Sequence, residues 1–130
     1  MYSCALDAYA WIAYFRNEKG ADTVESYLER GVIATPIIAV AELAAKLYQE
    51  LPKNLEEALL FIKAKSTILD LSFDIAARAG RTRIELRKLT KKKVSLADAI
   101  IYETANEYDT AVLTGDIHFK GLANVIYIGE

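Results

Sequence analysis

Short apolar runs alternate along the chain with longer stretches whose apolar positions recur at helical spacing. Tyr2 to Leu6 reads as a strand that runs into Asp7, and Ala8 to Phe15 as a short helix. Gly20 is a break, Ala21 to Glu29 carries Ala21, Val24, Tyr27 and Leu28 on one helical face, and Gly31 closes it before the β-type run Val32-Ile33-Ala34. Thr35-Pro36 then reads as a helix start, with Thr35 as the N-cap and Pro36 in the first helical position, continuing through Glu42 and Lys46 toward Gln49. Beyond Pro52, Leu55 to Lys65 is a helical stretch, Thr67-Ile68-Leu69 a strand candidate, and Ser72-Phe73-Asp74 the opening of a long helix that carries the basic cluster between Arg78 and Lys93. Ser95-Leu96-Ala97-Asp98 has the Ser-x-x-acid signature of a capping box ahead of Ala99-Ile100-Ile101, in a helix ending near Tyr108. Ala111-Val112-Leu113 and Val125 to Ile128 are two further strand candidates.

Continuous apolar strands separated by helices predict an α/β domain: a parallel sheet of about five strands, buried by helices on both faces. In such sheets ligands sit outside the carboxyl ends of the strands, where strand order reverses. At 130 residues, with 53% hydrophobic and 26% charged residues, the chain has the material for one core and reads as a single domain over 1–130. Uncharged stretches such as Gly31 to Ala41 and Ala8 to Phe15 fall well short of the ~20 residues of a membrane span. The N-terminus has no basic region ahead of an apolar run, which points to the cytoplasm. A single cysteine, Cys4, and a single histidine, His118, argue against disulfide and structural zinc chemistry.

Net charge is only −2, yet eight of the sixteen basic residues lie between Arg78 and Lys93. Arg81, Arg87, Lys91, Lys92 and Lys93 are therefore candidates for contact with a phosphate backbone. The alternative is a solvated helix face whose basic last turn complements the helix dipole.

Among the eighteen acids, four stand in apolar company at strand ends or early in helices. Asp7 follows the first strand, Asp116 follows Leu113-Thr114-Gly115, Glu42 lies about two turns into the third helix, and Asp98 falls in the first turn of a later one. Buried carboxylates without partners are costly, so a compensating positive charge is expected. Converging carboxylates suit Mg²⁺ or Mn²⁺, which take oxygen ligands and activate water for phosphodiester hydrolysis. Each acid also has a local reading: Glu42 paired with Lys46, Asp98 as the acid of a capping box, Asp7 and Asp116 as turn residues. Asp70 fits a turn role better than a site.

With these residues in place the chain resembles the PIN-domain ribonucleases, in particular the small VapC-type toxins of prokaryotic toxin–antitoxin pairs. Leu6-Asp7, Glu42-Leu43, Ser95-Leu96-Ala97-Asp98-Ala99 and Leu113-Thr114-Gly115-Asp116 with Phe119 carry the likeness, in order, over nearly the whole chain. The resemblance implies that Asp7, Glu42, Asp98 and Asp116 bind one or two Mg²⁺ or Mn²⁺ ions for RNA cleavage, with Thr114 supporting the site by hydrogen bonding. It further implies a homodimer held by the early helices and a cognate antitoxin whose peptide blocks the site. The likeness departs just after the first acid, where the family often has a small hydroxyl or amide residue and this chain has Ala8-Tyr9. That bears on rate or substrate choice rather than on the fold.

Other constellations are weaker. His118, two residues after Asp116, fits a loop residue better than a general base. Gly-x-Ser-x-Gly, Gly-x-x-x-x-Gly-Lys-Ser/Thr and Gly-x-Gly-x-x-Gly are all absent. Tyr9, Trp11, Tyr14 and Phe15 read as core before they read as base-stacking or interface residues. The competing functions are a catalytically inactive RNA- or protein-binding module of the same fold and a receiver-type phosphoacceptor domain. The latter needs paired acids after the first strand, and Asp7 is followed by Ala8.

Overall fold

The computed structural model describes residues 1–130, and every predicted strand and helix is present in the predicted order. The elements are β1 (Cys4–Leu6), α1 (Ala8–Arg16), α2 (Ala21–Arg30), β2 (Ile33–Pro36), α3 (Ile37–Glu50), α4 (Leu55–Lys65), β3 (Thr67–Leu69), α5 (Phe73–Thr90), α6 (Leu96–Glu107), β4 (Val112–Thr114) and β5 (Val125–Tyr127). The strands form one sheet in the order β3-β2-β1-β4-β5, with every neighbouring pair parallel.

Period-two alternation explains how three-residue strands bury both faces. Cys4 and Leu6 of β1 join Leu113 of β4 in a core with Trp11, Val24, Leu43, Leu47 and Ile62, under α1 to α4. Ala5 and Val112, one residue out of step, join Ala39, Ile101, Ala105 and Phe119 on the opposite side, under α6. Helix α5 packs against α6 and is tied to it by Arg78 to Glu107 at 2.6 Å and the Thr82 hydroxyl to Glu103 at 2.6 Å. No helix is long and apolar enough to cross a membrane.

The central strand β1 leads to β2 and β3 on one side, while β4 and β5 lie on the other. Strand order therefore reverses at β1 and β4, and the crevice at their carboxyl ends is where such sheets place a ligand. Asp7 directly follows β1, and Asp116 stands two residues beyond β4.

Two local expectations are corrected. Thr35 does not cap α3: Thr35 and Pro36 are the last residues of β2, paired with Ile68 and Leu69 of β3. The Thr35 hydroxyl is fully buried, accepts the Trp11 indole N–H at 3.1 Å and lies 2.9 Å from the Ser66 hydroxyl, so it has no freedom to turn back onto a helix amide. Pro36, extended at φ −59° and ψ 137°, takes the capping position without a side-chain bond. The basic cluster is also split. Helix α5 ends at Thr90, Lys91 adopts a left-handed conformation at φ 62°, and the three lysines follow the helix rather than line it.

Trp11 belongs to the core, fully buried and stacked on Phe15. Because its N–H is satisfied only by Thr35, Thr35→Val would strand a buried donor. Urea denaturation should find the variant less stable by about 1–3 kcal/mol, whereas Thr35→Ser should lose less.

Candidate metal centre

Asp7 is the N-cap of α1, a common role for an Asp at a strand-to-helix junction. One carboxylate oxygen, Oδ1, accepts the Ala10 N–H at 3.0 Å, and the other, Oδ2, accepts the Thr114 hydroxyl at 2.5 Å. Thr114 ends β4, is fully buried, and its oxygen in turn accepts the Asp116 N–H at 3.0 Å. A single hydroxyl thus couples the two acids across the reversal in strand order. Asp116 caps a turn of 3-10 helix over Ile117–Phe119 through the His118 N–H at 2.9 Å, and buried Phe119 anchors that turn in the core beneath α6.

Asp98 completes the capping box expected at Ser95: its N–H reaches the Ser95 hydroxyl at 3.0 Å, and its Oδ2 accepts the Ser95 N–H at 3.0 Å. The cap and turn roles read from sequence are real. They hold all three carboxylates in place.

Glu42 differs from the other three. It has neither a hydrogen bond nor an ion pair, because Lys46 turns away from it and pairs with Glu50 at 3.6 Å. Glu50 also holds Arg16 of α1, so tertiary packing overrides the local Glu42–Lys46 pairing.

Asp98 and Asp116 have donor atoms within 4.8 Å of one another; Asp7 and Glu42 are outside that group but feel the charges of their neighbours. Burial pushes the Asp7 carboxyl up to about 7, against the hydrogen bonds from Thr114 and Ala10, and the charges of Asp116 and Glu42 raise it further. Burial also raises Glu42, helped by the charges of Asp98 and Asp116. No lysine or arginine forms an ion pair with any of the four. Asp7 and Asp98 are buried, Glu42 and Asp116 partly so, and together their carboxylates form a hard oxygen donor set. That set fits a divalent cation such as Mg²⁺ or Mn²⁺.

The structure adds a residue that the sequence reading placed in a loop. His118 brings Nδ1 to 2.9 Å from Asp98 Oδ2 and 3.7 Å from Asp116 Oδ1. Donor atoms of Asp98, Asp116 and His118 all lie within 4.8 Å of one another. The only sequence signal for this was the Asp116-x-His118 spacing on one short turn.

Glu42 and Asp116 also line a cavity of about 550 Å³ with Tyr9, Glu18, Lys19, Arg16 and Lys46, the last two paired with Glu50. The Tyr9 ring, in the position where the family likeness breaks, lies against Gly115; a Cβ on Gly115 would run into it. Of the basic candidates, Arg87 is spent on the Val94 carbonyl at 2.7 Å, and Arg81 pairs with Glu85 of its own helix at 3.7 Å. Lys92 reaches the Lys120 carbonyl at 3.1 Å, which fastens the lysine run to the segment directly after the Asp116–Phe119 turn.

An α/β domain with a parallel sheet and a carboxylate cluster at its reversal in strand order is the class that fold and site define. The PIN-domain family model matches residues 4–125, and the chain belongs to that family. No curated protein matches it by sequence. Among solved structures it is similar to Mycobacterium tuberculosis VapC20, described as a sarcin-ricin loop cleaving toxin, at 14% identity and TM-score 0.76, over 95% of this chain and 97% of that one. It is also similar to a chain of Rickettsia felis VapBC2 bound to a promoter DNA fragment, at 19% identity and TM-score 0.73, over 97% of both chains. A toxin–antitoxin complex from Klebsiella pneumoniae matches at 24% identity and TM-score 0.72, over 98% of this chain and 99% of that one. At these identities the likeness is one of fold.

The raised Asp7 carboxyl has a thermodynamic consequence without metal. The folded chain keeps a proton on Asp7 up to about pH 7, whereas the unfolded chain releases it near 3.8, so this group's contribution falls as pH rises between those values and is constant above. Asp7→Asn keeps an Oδ1 acceptor for Ala10 and removes the titration. In chelator, its stability relative to the unaltered chain should rise from pH 4.5 to 7.5 by on the order of 1–3 kcal/mol, read by urea unfolding at several pH values.

Proposed function

We propose that the chain is a Mg²⁺- or Mn²⁺-dependent endoribonuclease that serves as the toxin of a toxin–antitoxin pair. The observations that support this reading are the Thr114 hydroxyl shared by Asp7 and Asp116, the donor atoms of Asp98 and Asp116 within 4.8 Å of one another, and the lack of any lysine or arginine paired to these acids or to Glu42. Membership of the PIN-domain family supports the nuclease reading, and the toxin and toxin–antitoxin structures of the same fold support the pairing with an antitoxin.

When bound, a divalent cation supplies Lewis-acid stabilisation of the scissile phosphate and lowers the pKa of an attacking water. The chain's own residues prepare for it. Asp7 gives up the proton that burial holds on it near neutral pH, while Thr114 fixes its orientation through Oδ2. Asp98 and Asp116 are held in place by the Ser95 box and the Ile117–Phe119 turn, so they meet the cation already ordered. Lys91, Lys92 and Lys93 attract the RNA backbone to this end of the sheet, a contact weakened by salt. A second copy of the chain and an antitoxin protein are the proposed protein partners.

On a structured RNA in Mn²⁺, the unaltered protein should cleave and EDTA should abolish cleavage. Asp98→Asn and Asp116→Asn should each lower the rate at least ~100-fold while circular dichroism and elution volume stay unchanged. Full activity in both variants would remove the nuclease reading. RNA binding that persists in EDTA without any cleavage would favour the inactive module. Replacing Lys91, Lys92 and Lys93 by Gln should weaken RNA binding about tenfold at ~100 mM salt and flatten its salt dependence, with metal affinity unchanged.

A further inference from the structure

The site's one nitrogen donor has not entered that mechanism. His118 stands on the Ile117–Phe119 turn, whose start is capped by Asp116 and whose end is locked by buried Phe119, so its backbone has little freedom. Its ring is about one-third exposed, and Nδ1 is the atom turned inward, 2.9 Å from Asp98 Oδ2 and 3.7 Å from Asp116 Oδ1. Adjacent donors around an octahedral ion with bonds of about 2.1 Å lie roughly 3 Å apart, and opposite ones roughly 4 Å. The two Nδ1 distances fall in that range, and the Asp98 and Asp116 donors lie within 4.8 Å of one another.

We infer that His118 is a nitrogen ligand of the metal centre and makes it selective for Mn²⁺, or a similar transition-metal dication, over Mg²⁺. The inference rests on the metal-centre reading above and adds to it the choice of ion. Mg²⁺ takes oxygen ligands and gives up its waters reluctantly, whereas imidazole suits first-row transition metals. A neutral ring with its proton on Nε2 presents the Nδ1 lone pair to the space between Asp98 and Asp116. A carboxylate-only site has no comparable means of separating the two ions.

The alternative role for the same geometry is indirect: Nδ1–H donates to Asp98 and orients it, without touching the ion. The two roles differ in measurable ways. His118 is the only histidine in the chain, so in tag-free protein any imidazole nitrogen coupled to bound Mn²⁺ belongs to it. Pulsed EPR of the Mn²⁺-loaded protein should detect directly coordinated nitrogen, and the coupling should vanish in His118→Gln. Calorimetric titration with each ion alone should find Mn²⁺ bound on the order of 100-fold more tightly than Mg²⁺ by the unaltered chain. His118→Gln should lose tenfold or more in Mn²⁺ affinity and change Mg²⁺ affinity less than about threefold.

Mn²⁺ bound with no nitrogen coupling would overturn the ligand role while leaving the metal centre intact. Equal losses for both ions in His118→Gln would assign the residue to orienting Asp98. No Mn²⁺ binding at all would overturn the metal centre and this inference together. The EPR measurement uses the unaltered protein and does not depend on the variant folding.

Discussion

The burial of Asp7 at the carboxyl end of β1, with Asp116 tied to it through the Thr114 hydroxyl at the end of β4, is the constraint on which the rest of the structure turns. Glu42 has no partner, Asp7 is raised to about 7 by burial, and the nearest lysine, Lys46, is drawn off by Glu50. A fold selected for stability alone would place an apolar residue or an ion pair here, because an uncompensated buried charge is among the more costly features a core can contain. Asp7, Asp98 and Asp116 are held by hydrogen bonds, while Glu42 has none and lines an open cavity with Asp116, a donor set suited to a divalent cation.

Folding and chemistry use the same side chains. Asp7 starts α1, Asp98 starts α6 and Asp116 starts the turn that carries His118. Each carboxylate is anchored by a backbone amide within three residues, and each anchor stands at the start of a helix or turn, where free amides favour negative charge. The result is an acidic group that needs no reordering to receive a cation. Thr114 joins the halves: its hydroxyl donates to Asp7 and accepts from Asp116, so the ends of β1 and β4 move together. Beyond the acids, Lys92 fastens the lysine run to the segment after the Asp116–Phe119 turn, which places positive charge near the acidic group.

What was legible in the sequence was what local patterning controls. The Ser95-Leu96-Ala97-Asp98 box, the apolar strands and their alternation with helices came through because capping and hydrophobic period act over a few residues. The four acids stood out because carboxylates in apolar runs demand an explanation. What failed depended on distant partners. Thr35-Pro36 has the composition of a helix start, but Trp11 and Ser66, 24 and 31 residues away, claim its hydroxyl and keep it in the strand. Glu42 and Lys46 have the favoured order for a pair one turn apart, yet Glu50 takes Lys46 while also holding Arg16 on α1. A lone loop histidine such as His118 carries little local signal beyond its spacing from Asp116. Its proximity to Asp98, 20 residues earlier, arises only when α6 and the turn after β4 meet at one end of the sheet.

The measurement that tests the account most directly is anomalous diffraction from crystals grown or soaked in Mn²⁺, collected with and without EDTA. The account predicts one or two strong anomalous peaks bounded by the carboxylates of Asp7, Glu42, Asp98 and Asp116, absent after EDTA. A map with no peak there at saturating Mn²⁺, or with peaks only on acids elsewhere on the surface, would contradict it.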